Sequence, residues 1–173
     1  MMTSLNEIEK LWTEQDKATL NESIVCIADN LKSRNFFGLG VGRMGLSLKS
    51  FIMRLSHLGG SAFFLGDTNL PSPNKGDIVI INSSSGKTPS LLMFAKQAKE
   101  AEAFIILYTH DASSPMALLS NLVVRYKKIK SRQFMKTLPE QYSYLLFDYV
   151  FHEIVKRKKL DFISLEKNHS IFE

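Results

Sequence analysis

Residues 77–92 read DIVIINSSSGKTPSLL. The β-branched run DIVIIN (77–82) is a buried strand by composition. The hydroxyl cluster and the single glycine after it are turn chemistry. Pro89 then opens a helical spacing that continues over roughly 88–101, proline being favoured in a helix's first turn. A strand that ends in serines and turns into a helix is one βα unit of a parallel sheet, and its polar turn lies at the strand's carboxyl end.

The same unit recurs on both sides. NFFGLG (35–40), SAFFLG (61–66), FIILYT (104–109) and LVVRY (122–126) read as further short apolar strands. Helical spacing appears over 44–59, over a short piece at 114–121 and over the long stretch 138–158. The segment 70–77, LPSPNKGD, is turn composition. Two amphipathic helices within 4–33 precede the first strand. The expected fold is α/β: a five-stranded parallel sheet sandwiched by helices in three layers. The whole chain, 1–173, reads as a single domain: helices 4–33, an α/β core over 35–126, a C-terminal helix 138–158 and a tail 160–173.

Composition narrows the functional classes. With 173 residues and 45% hydrophobic content, the chain can bury a sizeable core. Its one cysteine, Cys26, excludes an internal disulfide framework and fits a reducing, cytoplasmic setting. MMTSLNEIEKLW has acids where a signal peptide needs a basic and then an apolar region. No apolar run approaches the roughly 18 residues that a membrane span requires. The net charge of +5 is concentrated in RYKKIKSR (125–132) and KRKK (156–159). Neither run carries a nucleic-acid recognition motif, so nucleic acid is disfavoured and a solvated loop and a helix end are expected.

Two strand ends have ligand-binding composition. Ser83, Ser84, Ser85 and Thr88 crowd a turn at a helix N-terminus, where hydroxyls and free N–H groups cradle an anion without a cation. A single N-cap uses one hydroxyl, not four. SSSGKT is not a Walker A loop, because the first required glycine falls on Ile81. The other end is GLGVGRMG (38–45), where Gly40, Gly42 and Gly45 satisfy G-x-G-x-x-G, a weak dinucleotide signal here because two helices precede the strand. His152-Glu153 is not H-E-x-x-H, since Lys156 holds the partner position, so a zinc protease is excluded.

GVGRMG, KSFIMRLSHLGG, SSSGKT and DASSPMALLSNLVV together resemble the sugar isomerase (SIS) domain family, and within it the 6-phospho-3-hexuloisomerase branch. That branch is typified by G-x-G-R-S-G, M-R-L-x-H-L-G, S-G-S-G-E-T and S-P-L-x-x-L-A-D. The resemblance implies an enzyme that interconverts 3-hexulose 6-phosphate and fructose 6-phosphate through an enediol, with no metal or other cofactor. It implies a phosphorylated ketohexose as partner, bound by Ser83, Ser84, Ser85 and Thr88. Gly42 and Arg43 would meet the sugar or phosphate from the glycine loop. FMKTLPEQ (134–141) matches the family segment that carries a catalytic glutamate, which makes Glu140 the candidate base. His57 matches the family histidine and is the candidate acid–base partner. The resemblance further implies a homodimer or homotetramer with sites completed across subunit interfaces.

The chain departs from the pattern at Met44, where the family has serine, and at Ser84 and Lys87, where it has glycine and glutamate. Lys136 and Pro139 likewise stand in place of glycine and phenylalanine. A phosphosugar-binding or regulatory module without catalysis is the alternative these changes leave open.

Overall fold

The computed structural model describes residues 2–161 together with 165 and 168, so most of the 160–173 tail lies outside the described residues. Five strands, β1 (Asn35–Leu39), β2 (Ser61–Phe64), β3 (Ile78–Asn82), β4 (Phe104–Thr109) and β5 (Leu122–Arg125), form one sheet in the order β2-β1-β3-β4-β5. All four pairings are parallel, as the continuously apolar strands predict.

The helices are α1 (Met2–Thr13), α2 (Lys17–Asn30), α3 (Gly42–His57), α4 (Pro89–Glu100) and α5 (Thr137–Lys158). The chain steps outward from β1 to β2 through α3, and in the opposite direction from β3 to β4 through α4. Right-handed crossovers therefore place α3 and α4 on opposite faces. The side chains follow. Phe36, Ile78, Ile80, Ile106 and Tyr108 pack with α2, α3 and α5, whereas Phe37, Val79, Ile81, Ile105 and Leu107 pack with Leu91, Ala95 and Ala98 of α4. This one-residue alternation is the pleat reading itself out in burial.

Between β2 and β3 no helix forms. Pro71, Pro73, Gly66 and Gly76 interrupt that connection, and Leu65 and Leu70 from it cover the α4 face instead. The stretch expected as a helix at 114–121 is only a 3₁₀ turn over Ala117–Leu119, since Pro115 and the nearby strand β5 leave no room for more. No helix among the described residues is long and apolar enough to cross a membrane.

The reversal between β1 and β3 opens a crevice at the carboxyl edge of the sheet, where open α/β sheets bind ligands. Its two banks are the glycine loop after β1 and the serine loop after β3. The glycines on the first bank serve packing. A Cβ on Gly45 would sit 2.6 Å from the Gly40 carbonyl oxygen, and one on Gly40 would sit 2.7 Å from the Gly45 Cα. Helix α3 can begin directly behind β1 because nothing projects between them. Gly45→Ala is accordingly expected to destabilise the fold by at least about 2 kcal/mol, since the contact is backbone and cannot rotate away. Calorimetry should register this as a melting point lowered by roughly 4–8 °C.

Candidate active site

The serine loop is built by its neighbours. Gly86 adopts φ +62°, and a Cβ there would lie 2.0 Å from the hydroxyl of buried Ser114. The Ser83 N–H donates to the Tyr108 carbonyl (3.1 Å), the His110 N–H and Thr109 hydroxyl both donate to the Ser84 carbonyl (3.1 and 2.9 Å), and the Met116 N–H donates to the Gly86 carbonyl (3.3 Å). Carbonyls are thus tied down toward β4 and the 111–116 segment. The N–H groups of Ser84, Ser85 and Thr88 meet no acceptor among the described residues. Thr88 occupies the N-cap of α4 but its hydroxyl makes no capping bond. The four hydroxyls are more than helix capping uses. Together with the positive end of the α4 dipole they form an anion cradle.

The loop opens into a cavity of about 570 Å³ lined by Ser83, Ser84, Ser85, Thr88, Met44 and Asn82, among others. Asn82, at the end of β3, is fully buried. Its amide donates to the Met44 carbonyl and the Ser47 hydroxyl (both 3.0 Å), and its oxygen accepts from Ser143 of α5 at 3.4 Å. It fastens the starts of α3 and α5 beneath the crevice. Sequence reading took Asn82 only as the last residue of a strand. The available signal was an amide ending a run of β-branched residues, a position where an unpaired polar group would be costly.

Arg43 leaves the glycine loop toward α5. Its Nε lies 2.6 Å from a Glu140 carboxylate oxygen, and its other nitrogens donate to the Thr137 hydroxyl and the Met135 carbonyl. The structure therefore joins two of the predicted site residues directly, at the lip of the cavity walled by Leu138 and Pro139. Gly42, with φ +56° and open space where a Cβ would go, starts α3 beside them. His57 is placed elsewhere. It ends the 16-residue α3, so at 1.5 Å per residue roughly 22 Å separates it from the glycine loop. Within one chain it does not meet the serine loop.

The opposite wall is the 126–136 segment, of which 125–132 was expected from sequence as solvated loop. Tyr126, Lys127, Lys128, Ile129, Ser131, Gln133 and Lys136 instead face the cavity. Glu7 of α1 pins that segment, accepting from the Ser131 hydroxyl, the Arg132 N–H and the Gln133 amide (2.8, 2.8 and 3.1 Å). Those bonds, the Arg132 N–H foremost, hold the Glu7 carboxyl below its usual pKa. Lys127 pairs with Glu14 at 2.5 Å. Burial pushes the Tyr126 phenol up to about 12, with the nearby Ser84 hydroxyl offsetting part of the shift. Among the described residues, no group of three or more His, Cys, Asp or Glu side chains could hold a metal.

The sequence pattern of the SIS domain matches residues 31–149. The chain belongs to the SIS domain family. Among its relatives, the 3-hexulose-6-phosphate isomerase of Bacillus subtilis is 34% identical over 163 residues, covering 88% of each chain. The Methanocaldococcus jannaschii protein of the same name is 36% identical over 140 residues, 80% of this chain and 77% of that one. A crystal structure of a Methanococcus jannaschii protein, described as inferring a 3-hexulose-6-phosphate isomerase function, superposes with a TM-score of 0.86 at 33% identity, covering 99% and 97% of the two chains.

Lys87, where the branch pattern has glutamate, pairs with Asp111 at 2.8 Å, both lining the cavity. The Lys87 bond, then the Ser113 hydroxyl, hold the Asp111 carboxyl at about 2. A depressed carboxylate pKa contributes stability above the ordinary carboxylate range and loses it as pH falls toward the folded value. Lys87→Ala should return the Asp111 titration toward about 3.9, the ordinary aspartate value. Carbon-detected NMR of the labelled carboxyl would follow the change.

Proposed function

We propose that this chain is a sugar-phosphate isomerase interconverting 3-hexulose 6-phosphate and fructose 6-phosphate. The observation that carries the reading is the meeting of three things at one crevice: the hydroxyl-lined cradle, the cavity it opens into, and the Arg43–Glu140 pair next to Leu138 and Pro139 of that cavity's wall. The relatives' shared name points the same way.

In this reading the phosphate rests on Ser83, Ser84, Ser85 and Thr88 and on the N–H groups that open α4. The sugar then extends toward α5. Glu140 removes the proton from C2 of the 3-ketose, leaving a 2,3-enediol, and the proton returns at C3 to give the 2-ketose. Arg43, already beside the carboxylate, offers its guanidinium to the oxygen on which negative charge develops. Gly42 supplies open backbone at the start of α3 for that approach.

His57 enters through a second copy. Leu46, Ser50, Met53 and His57 fall at intervals of four, three and four on α3, one face of the helix. Leu46 and Met53 on that face are exposed, as are Tyr144 and Leu145 on neighbouring α5. A homodimer or homotetramer closing over this apolar strip brings His57 to a neighbour's crevice. Sedimentation is expected to give a multiple of the chain mass, and Leu145→Glu to shift it toward the monomer.

The 2.6 Å Arg43–Glu140 contact also favours a second reading. A base engaged by a guanidinium must be released to act, and a chain in which it stays engaged binds sugar phosphate without turning it over. Fructose 6-phosphate in deuterated water separates the two. Isomerisation exchanges the C3 proton, visible by NMR, and Glu140→Gln should cut that rate by about 10²–10⁴ while binding persists. Binding without exchange in the parent chain would establish the second reading.

A further inference from the structure

The cradle binds a phosphate with neutral groups, yet the wall facing it is cationic. Lys87, Lys127, Lys128 and Lys136 line the cavity against one carboxylate, Asp111. Lys87 and Lys127 are engaged by Asp111 and Glu14. Lys128 and Lys136 have no ion-pair or hydrogen-bond partner for their ammonium groups among the described residues, and both are exposed to the cavity side.

This wall is held in place. Glu7 takes three hydrogen bonds from 131–133, and the Lys127–Glu14 pair anchors the segment's start. At its end Met135 and Lys136 both adopt left-handed backbone conformations, φ 54° and 58°. Two successive non-glycine residues in that region cost on the order of 1–2 kcal/mol each, and such strain persists where the surroundings impose it. Arg43 imposes it here, through the Met135 carbonyl and the Thr137 hydroxyl on either side of Lys136. The field of the wall reaches its neighbours. Half-buried His110, which faces Lys128, Lys87, Asp111 and the Tyr126 ring, has its pKa pushed down first by burial and next by the charge of Lys128.

The geometry points to a second anion subsite formed by Lys128 and Lys136 on the wall facing the cradle, so that the ligand this pocket holds most tightly is a sugar phosphate carrying another anionic group, phosphate or carboxylate. The proposal rests on the cradle of the preceding reading and adds to it a class of tight-binding ligand, distinct from the monophosphates that are turned over. It is independent of whether Glu140 performs catalysis.

The test is calorimetric titration of the full chain with fructose 6-phosphate, fructose 1,6-bisphosphate and 6-phosphogluconate, repeated with Lys128→Ala/Lys136→Ala. Both lysines are solvent-exposed, and circular dichroism verifies that the double variant is folded. At low salt the bisphosphate is expected to bind about tenfold tighter than the monophosphate, a preference that shrinks as salt is raised. The ratio of the two affinities should fall close to one in the double variant. Affinities for the bisphosphate and for 6-phosphogluconate that both equal that for the monophosphate in the parent chain overturn the subsite, and so does a preference that the double variant retains. 6-Phosphogluconate distinguishes a subsite that takes any anion from one that requires phosphate, and a preference for either dianion supports it. If none of the three binds, the cradle itself fails, and the proposed function with it.

Discussion

A single buried amide fixes the relation between the two banks of the crevice. Asn82 ends the central strand β3 with no exposure to solvent, and it must satisfy its amide within the protein. It does so on the first turn of α3, through the Met44 carbonyl and the Ser47 hydroxyl, and on α5, through Ser143. These three elements come from distant parts of the chain. Once they are fastened to the carboxyl end of β3, the glycine loop, the serine loop and the start of α5 can meet in only one arrangement. Arg43 then lies within reach of Glu140, and the loop before α5 is drawn over the cavity.

The sheet was legible because its signals are repeated and one-dimensional. Ile78–Asn82 is buried at every position, and such a run has no outward face to hide. Strand boundaries drifted by a residue or two where glycine allowed extension, as at Leu65 and Gly66, which the structure leaves outside β2. The 114–121 helix failed for a different reason. Spacing alone cannot tell a helix from a 3₁₀ turn when Pro115 follows a segment whose Ser114 is already committed to packing under Gly86.

The site was legible only in part. The serine turn announced itself because four hydroxyls exceed what capping uses, and Glu140 and Arg43 came through resemblance. The cationic wall was not visible. RYKKIKSR has the composition of a solvated loop, and the residues that turn it inward lie far off in sequence: Glu7 and Glu14 on α1 and the connection after it, and Arg43 on α3. Each makes ordinary polar contacts with the loop, and nothing in one-dimensional spacing marks an acid as belonging to a loop more than a hundred residues away.

The departures from the branch pattern acquire a common sense in this geometry. Lys87 in place of glutamate puts a cation on the cavity wall, and Asp111 pairs with it there. Lys136 in place of glycine occupies a left-handed position that glycine takes at no cost, so the side chain is carried at the expense of backbone strain. Met44, in place of serine, removes a hydroxyl donor from the first bank, while Ser84, in place of glycine, adds one on the second. The polar character of the pocket has moved from the glycine loop toward the serine loop and the 126–136 wall.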